Sequence, residues 1–261
     1  MSYLEKQFGL AGHTAVITGG GGAICGAIAA GFLNAGASVV LWGRHRSTLE
    51  EKRATLPFPE RVRLFEVDLS DEAGIAAGLA DAGNCDILVN GVGGSSKRMP
   101  LVDADRAEFE AVILQNLIAG CFLPTRAFAR AWIERGVRGR VLNIASMASY
   151  NPLSGAWAYS AAKAAVMNQT VAQARELAAH GIRVNAIAPG FFLGKQNRKL
   201  LVNDDGTPTA RGERVLKHTP AGRFGDVAEL AAAAIFLCAD GADFVTGVTL
   251  PVDGGYLTDN I

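Results

Sequence analysis

Tyr159 and Lys163 stand four residues apart in Tyr159-Ser160-Ala161-Ala162-Lys163, within a segment, residues 155–180, patterned as one long helix. That spacing puts both side chains on one helix face, a single turn apart. A phenol with a pKa near ~10 is a poor acid or base at neutral pH. A neighbouring ammonium favours the phenolate and draws its pKa towards the range useful for proton transfer. Ser146 lies thirteen positions before the tyrosine (159 − 146 = 13), just past the apolar segment Arg140–Ile144. Its hydroxyl is suited to hydrogen-bond a reacting carbonyl or hydroxyl oxygen. Together these groups suit proton transfer at a substrate oxygen.

A second constellation suits phosphate binding. After Ile17 comes Thr18-Gly19-Gly20-Gly21-Gly22-Ala23-Ile24-Cys25-Gly26, opening an Ala-rich helical pattern. Glycines there let backbone N–H groups approach a pyrophosphate, and the helix N-terminus adds a favourable partial charge. An acidic residue about twenty positions beyond such a loop normally holds the adenosine ribose hydroxyls. Counting from Gly22 reaches Gly43 (43 − 22 = 21), followed by Arg44-His45-Arg46 without a carboxylate. Arg44, with Arg46 as the weaker second candidate, can face a 2′-phosphate. NADP is therefore expected ahead of NAD.

These residues need a scaffold, and the pattern supplies one. Apolar strand segments at 14–17, 38–42, 62–67, 86–90, 140–144, 183–187 and 248–252 alternate with helix-like segments. Strands that are apolar throughout imply a parallel sheet buried on both faces. The expected fold is α/β, a single doubly wound Rossmann-type domain over residues 1–261 with a mostly parallel seven-stranded sheet. The helical stretch 105–135 is expected to bend near Gly120 and Pro124. The irregular region 190–224 reads as a substrate lid. Ligands should lie beyond the carboxyl ends of the strands.

The 261 residues carry 25 basic and 25 acidic side chains, and a pI near 6.9 argues against a nucleic-acid partner. The N-terminus lacks the pattern of a secretory signal, and the charge-free stretch 141–162 is too broken by Asn, Pro and Gly for a bilayer span. Cys25, Cys85, Cys121 and Cys238 are far apart and show no metal-binding spacing. A cytoplasmic protein with reduced thiols, no metal and no membrane partner is expected.

The glycine loop, the Asn90-Gly91-Val92-Gly93 turn, the Ser146–Tyr159–Lys163 spacing, Pro189-Gly190 and the closing Val252-Asp253-Gly254-Gly255 resemble the short-chain dehydrogenase/reductase family over nearly the whole chain. The loop departs from the T-G-x-x-x-G-x-G pattern, with Ala23 and Cys25 where the later glycines would stand. The resemblance implies cofactor contacts at Gly19, Gly21, Gly22, Ala23, Ile24, Asp68, Leu69, Asn90, Gly91, Pro189, Gly190 and Phe192. It implies that Tyr159 is the general acid or base, and that Lys163 lowers its pKa and holds the nicotinamide ribose. Ser146 would polarise the substrate oxygen, and Asn116 would organise a proton relay to the lysine. A homotetramer is implied through the closing strand.

Two basic clusters, Ser95-Ser96-Lys97-Arg98 and Lys195-Gln196-Asn197-Arg198, suggest an anionic, polyhydroxylated small-molecule substrate. Pro189 to Arg198, the loop Asn203-Asp204-Asp205-Gly206 and His218-Thr219-Pro220 resemble a subgroup described as D-mannonate oxidoreductase, or fructuronate reductase. Lys97, Arg98, Lys195 and Arg198 are then the expected substrate-binding residues. A reductase of a neutral polyol or keto-gluconate and a catalytically silent dinucleotide binder are the alternatives.

Overall fold

Runs such as Ala15-Val16-Ile17 and Val39-Val40-Leu41 are buried on both faces, which requires a layer of helices on each side of the sheet. The computed structural model describes residues 2–95, 98–194 and 198–258. Its strands are β1 (Thr14–Thr18), β2 (Ser38–Gly43), β3 (Val62–Glu66), β4 (Ile87–Asn90), β5 (Arg140–Ile144), β6 (Arg183–Pro189) and β7 (Thr249–Val252). They form one sheet in the order β3-β2-β1-β4-β5-β6-β7. Every pairing is parallel, so the sheet is wholly rather than mostly parallel.

The helices are α1 (Tyr3–Phe8), α2 (Ala23–Asn34), α3 (Arg46–Ala54), α4 (Glu72–Ala82), α5 (Arg106–Ile113), α6 (Leu123–Arg135), α7 (Trp157–Leu177), α8 (Arg198–Leu201), α9 (Ala210–Lys217) and α10 (Glu229–Cys238). On one face Ile28 and Phe32 of α2, Leu49 of α3 and Leu230 of α10 pack with Ile17 and Leu41. On the other, Ile75 of α4, Phe128 and Trp132 of α6 and Ala174 of α7 pack with Val16 and Val40. Helix α1 was not anticipated, although Ser2 and Glu5 form the reciprocal capping box that marks a helix start.

The stretch from α5 to α6 is unbroken helix. It continues through a π-helical segment, Leu114–Phe122, which carries Asn116. A Cβ on Gly120 would lie 2.5 Å from the Val92 carbonyl oxygen and 2.7 Å from that of Gln115. The missing side chain therefore lets the widened turns lie directly on the loop after β4. By length and composition Arg106–Arg135 could cross a membrane, but half of its most apolar window is buried inside the fold. Phe128 and Trp132, wholly buried, make it a core helix.

The region after β6 is not simply irregular. Leu201, Val202 and Val215 form a small apolar cluster with Phe191, Leu193 and Phe224. This gives α8 and α9 a seat of their own above the strand ends.

Candidate active site

The strand order reverses between β1 and β4, which opens a crevice beyond their carboxyl ends. Gly19 turns the chain out of β1 with φ at +67°, and an added Cβ would lie 2.9 Å from the Gly91 carbonyl oxygen. Only glycine fits both demands. Gly22 caps α2 without any side-chain hydrogen bond, and Gly22 and Ala23 are exposed. The first N–H groups of α2 therefore point into the crevice, a cradle suited to a pyrophosphate. On these grounds the residues fit a dinucleotide.

Cys25 explains the departure from the family loop. Its thiol donates to the Thr18 carbonyl at 3.4 Å and approaches that of Gly91 at 3.8 Å. A Cβ on Gly91 would lie 2.2 Å from the Cys25 sulfur. The side chain missing at 91 thus makes room for the one present at 25, beneath the loop rather than in the phosphate path. Burial pushes the Cys25 thiol up to about 12, so it stays neutral.

At the end of β2, the two arginines separate in role. Arg46 is engaged by Glu50, by the Leu64 carbonyl and through its backbone N–H by Glu66. Arg44 is exposed and forms no hydrogen bond or ion pair among the described residues. Asp68 accepts from the N–H and hydroxyl of Ser70 at 2.9 and 2.7 Å, and these bonds, with a lesser pull from Arg44, hold its carboxyl below the usual range. Asp71, not Asp68, caps α4.

Three expected cofactor contacts turn inward instead. Leu69 is buried in the core beside Val67 and Ile75. Asn90 donates to Thr125 and Asn143 at 2.8 Å each, within a buried polar chain that cross-links β4 to β5. The Phe192 ring packs on Gly225, where a Cβ would come within 2.3 Å of it. At these positions only the backbone remains for a ligand. Gly190 is better placed, donating to the Val252 carbonyl at 3.0 Å where β6 and β7 end together.

Ser146, Tyr159, Lys163 and Asn116 converge as anticipated. The Lys163 ammonium lies 5.8 Å from the Tyr159 ring centre and donates to the Ile144 carbonyl at 2.7 Å. It is 5% exposed, and burial lowers its pKa to about 8. Burial is also the largest influence on the Tyr159 phenol, holding it above the usual tyrosine value against a hydrogen bond with Ser146. This corrects the expectation that Lys163 draws the phenol down; its ammonium is turned towards Ile144. Ser146 is buried after β5, and its hydroxyl accepts from the Ala148 N–H at 3.1 Å.

The Asn116 side chain is fully engaged by the protein. Both of its amide hydrogens are engaged, by the Gly94 carbonyl at 2.8 Å and the Val112 carbonyl at 2.9 Å, while its oxygen accepts from Gly94 N–H. A Cβ on Gly93 would meet that oxygen at 2.6 Å and the Lys163 nitrogen at 3.1 Å. The Asn116 side chain is therefore a positioning group, which lays the Gly93-Gly94 turn against the lysine.

Of the expected substrate contacts, Lys97 and Lys195 lie outside the described residues. Arg98 donates to the Ser154 carbonyl at 3.1 Å, just before α7. Arg198 opens α8 and is exposed. Arg211 of α9 was not foreseen, yet Arg98 and Tyr256 lie within its electrostatic reach. Its only local signal was a cationic turn, Ala210-Arg211-Gly212-Glu213-Arg214, inside the suspected lid.

A family model described as Enoyl-(Acyl carrier protein) reductase matches residues 21–257. The gluconate 5-dehydrogenase of Gluconobacter oxydans is 35% identical, over 95% of this chain and 96% of its own. A solved gluconate 5-dehydrogenase from Burkholderia cenocepacia, in complex with NADP and tartrate, shows 34% identity and a TM-score of 0.89, covering 98% of this chain and 99% of that one. A structure from Haemophilus influenza with bound NAD, described as a D-mannonate oxidoreductase, shows 31% identity and a TM-score of 0.85 over 98% and 99% of the two chains.

Proposed function

The chain belongs to the short-chain dehydrogenase/reductase family of NAD(P)-dependent oxidoreductases acting on CH–OH groups, and we propose that its substrate is a sugar acid of the D-fructuronate/D-mannonate type and its cofactor NADP. The observation that carries the substrate reading is Arg98, a guanidinium fixed by Ser154 at the head of the helix that bears Tyr159 and Lys163. The similarity to gluconate 5-dehydrogenases favours a second reading, 5-keto-D-gluconate, which is also an anion.

The bound nicotinamide supplies the hydride donor or acceptor. In the proposed chemistry, the remaining work falls to side chains. Ser146 holds the substrate oxygen, and Tyr159 gives that oxygen a proton in reduction or removes one in oxidation. Lys163 fixes the cofactor ribose. Asn116 keeps the Gly93-Gly94 turn packed on Lys163.

Initial rates with D-fructuronate, 5-keto-D-gluconate and D-fructose test the substrate. Preference for either acid supports the reading; equal or faster turnover of fructose overturns it. For the cofactor, Arg44→Ser is expected to raise the KM for NADPH about 10-fold to 100-fold, the effect of one charge-assisted contact, with little change for NADH. Arg46→Ser, which unties α3 from β3, should instead lower thermal stability. Wild-type efficiency with NADH equal to that with NADPH would refute the preference.

A homotetramer is part of the same reading. Phe244 is fully exposed beside β7, whose Leu250 and neighbouring Val248 are also exposed at a sheet edge. A separate exposed apolar patch, Phe109, Leu114, Phe122 and Val171, lies on α5, the π-helical segment and α7. Two distinct patches, each covered by its own copy about a two-fold axis, generate four subunits. Light scattering should give four copies, and Phe244→Glu should yield a smaller species.

A further inference from the structure

Helix α3 lies along the glycine loop and touches it at two points. A Cβ on Gly21 would fall 2.5 Å from Cγ2 of Thr48. A Cβ on Gly26 would fall 2.8 Å from Cδ of Lys52 and 3.0 Å from both its Cε and its Nζ. Thr48 and Lys52 are four apart on α3 and therefore share a face. Gly26 stands one turn into α2 from its cap, Gly22, to whose carbonyl its N–H donates at 2.9 Å. The Thr48–Lys52 face thus runs along the loop and the opening turn of α2. Glycine at 26 is what lets the half-buried lysine side chain lie flat across that turn.

That placement has an electrostatic consequence. The start of α2 is the positive end of the helix dipole, and Gly22 caps it without a side-chain acceptor. The Lys52 ammonium adds a full positive charge to this end, and the first turn of α2 has no acidic residue to offset it. Cys25, in the same turn, registers the charge. Burial pushes its thiol up, while Lys163 and then Lys52 pull against that push. A phosphate seated on the opening N–H groups of α2 is attracted by the helix end and by the ammonium together.

We propose that Lys52 is a further cofactor-binding residue, which reaches across Gly26 from α3 to serve the phosphates of the nicotinamide dinucleotide. Gly26 and Lys52 act as a pair: the helix that carries the loop leaves the space, and its neighbour fills it with charge. The pyrophosphate, common to both cofactors, and the 2′-phosphate, present only in NADPH, offer the same chemistry to an ammonium. The inference rests on the family's nicotinamide cofactor and not on the preference for NADP.

The test is fluorescence titration of wild type, Lys52→Met and Lys52→Arg with NADPH and with NADH, alongside melting curves of the unliganded proteins. Lys52→Met is expected to raise Kd about 10-fold for at least one cofactor and to flatten its rise with salt. Lys52→Arg, which keeps the charge, should stay within about threefold of wild type. A similar loss with both cofactors seats the ammonium at the pyrophosphate, and a loss confined to NADPH seats it at the 2′-phosphate; either supports the proposal. Lys52 also stands in the last turn of α3, where a cation favours the helix. If that is its whole role, Lys52→Met lowers the melting temperature and leaves both Kd values and their salt dependence unchanged. Unchanged Kd values overturn the proposal, whichever cofactor wild type prefers.

Discussion

Tyr159→Phe is expected to lower kcat about a thousandfold while the KM for NADPH stays within about twofold, because the variant loses a proton donor but keeps the cofactor cradle. The phenol stands within reach of Ser146, and burial holds it protonated at neutral pH. In the reductive direction it is therefore charged with its proton across the neutral range. Reduction should stay level there and fall only at alkaline pH. Oxidation needs the phenolate, so its rate should climb with pH over the same range. Steady-state rates in both directions check this, with cofactor binding measured separately by fluorescence. Retention of more than about a tenth of the wild-type kcat would remove Tyr159 from the proton-transfer role.

Lys163→Met should have two opposite effects. Activity should fall at least about 100-fold, since the ribose contact is lost. Stability should rise. The fold lowers the lysine pKa from 10.5 to about 8 because its ammonium is buried. Below pH 8 the folded and unfolded chains both carry the proton, and the folded state bears the full penalty, about 3 kcal/mol at ~1.4 kcal/mol per unit. Between 8 and 10.5 the folded chain releases its proton first, so the penalty shrinks as pH rises and vanishes above 10.5. Methionine removes the penalty but leaves the Ile144 carbonyl without its donor, so the expected net gain near neutrality is about 1–3 kcal/mol. Urea unfolding at pH 7 and again near pH 10 measures it. The gain should be smaller at the higher pH, and a variant that unfolds more easily than wild type at pH 7 would show that the buried ammonium is not a liability.

Both predictions concern residues that spacing alone brought together. A helix repeats every 3.6 residues, so Tyr159 and Lys163 share a face wherever that helix lies. Ser146 follows a strand, and a parallel sheet gathers the carboxyl ends of its strands along one edge. The same logic placed Gly19 and Gly22 at the first turn. The π-helical segment left no such trace. It depends on Gly120 meeting Val92, a contact between chain segments that no local period encodes.

Side-chain direction was the least legible feature. Arg44 and Arg46 are the same residue type two positions apart, and only the position of Glu50, Leu64 and Glu66 engages one and leaves the other without a partner among the described residues. Leu69, Asn90 and Phe192 sit at the right strand ends, but their side chains turn into the interior.

The succession of strands along the chain, the glycine turn and the Ser146, Tyr159 and Lys163 set are properties of the sequence, because each follows from local periodicity and short separations. The partners of those groups belong to the tertiary structure alone. Lys163 reaches Ile144, Cys25 fills the space absent at Gly91, and Arg98 reaches the Ser154 carbonyl. Such pairings depend on which distant segments share a space closed to water. Burial in that space then weakens a charge, as at Lys163.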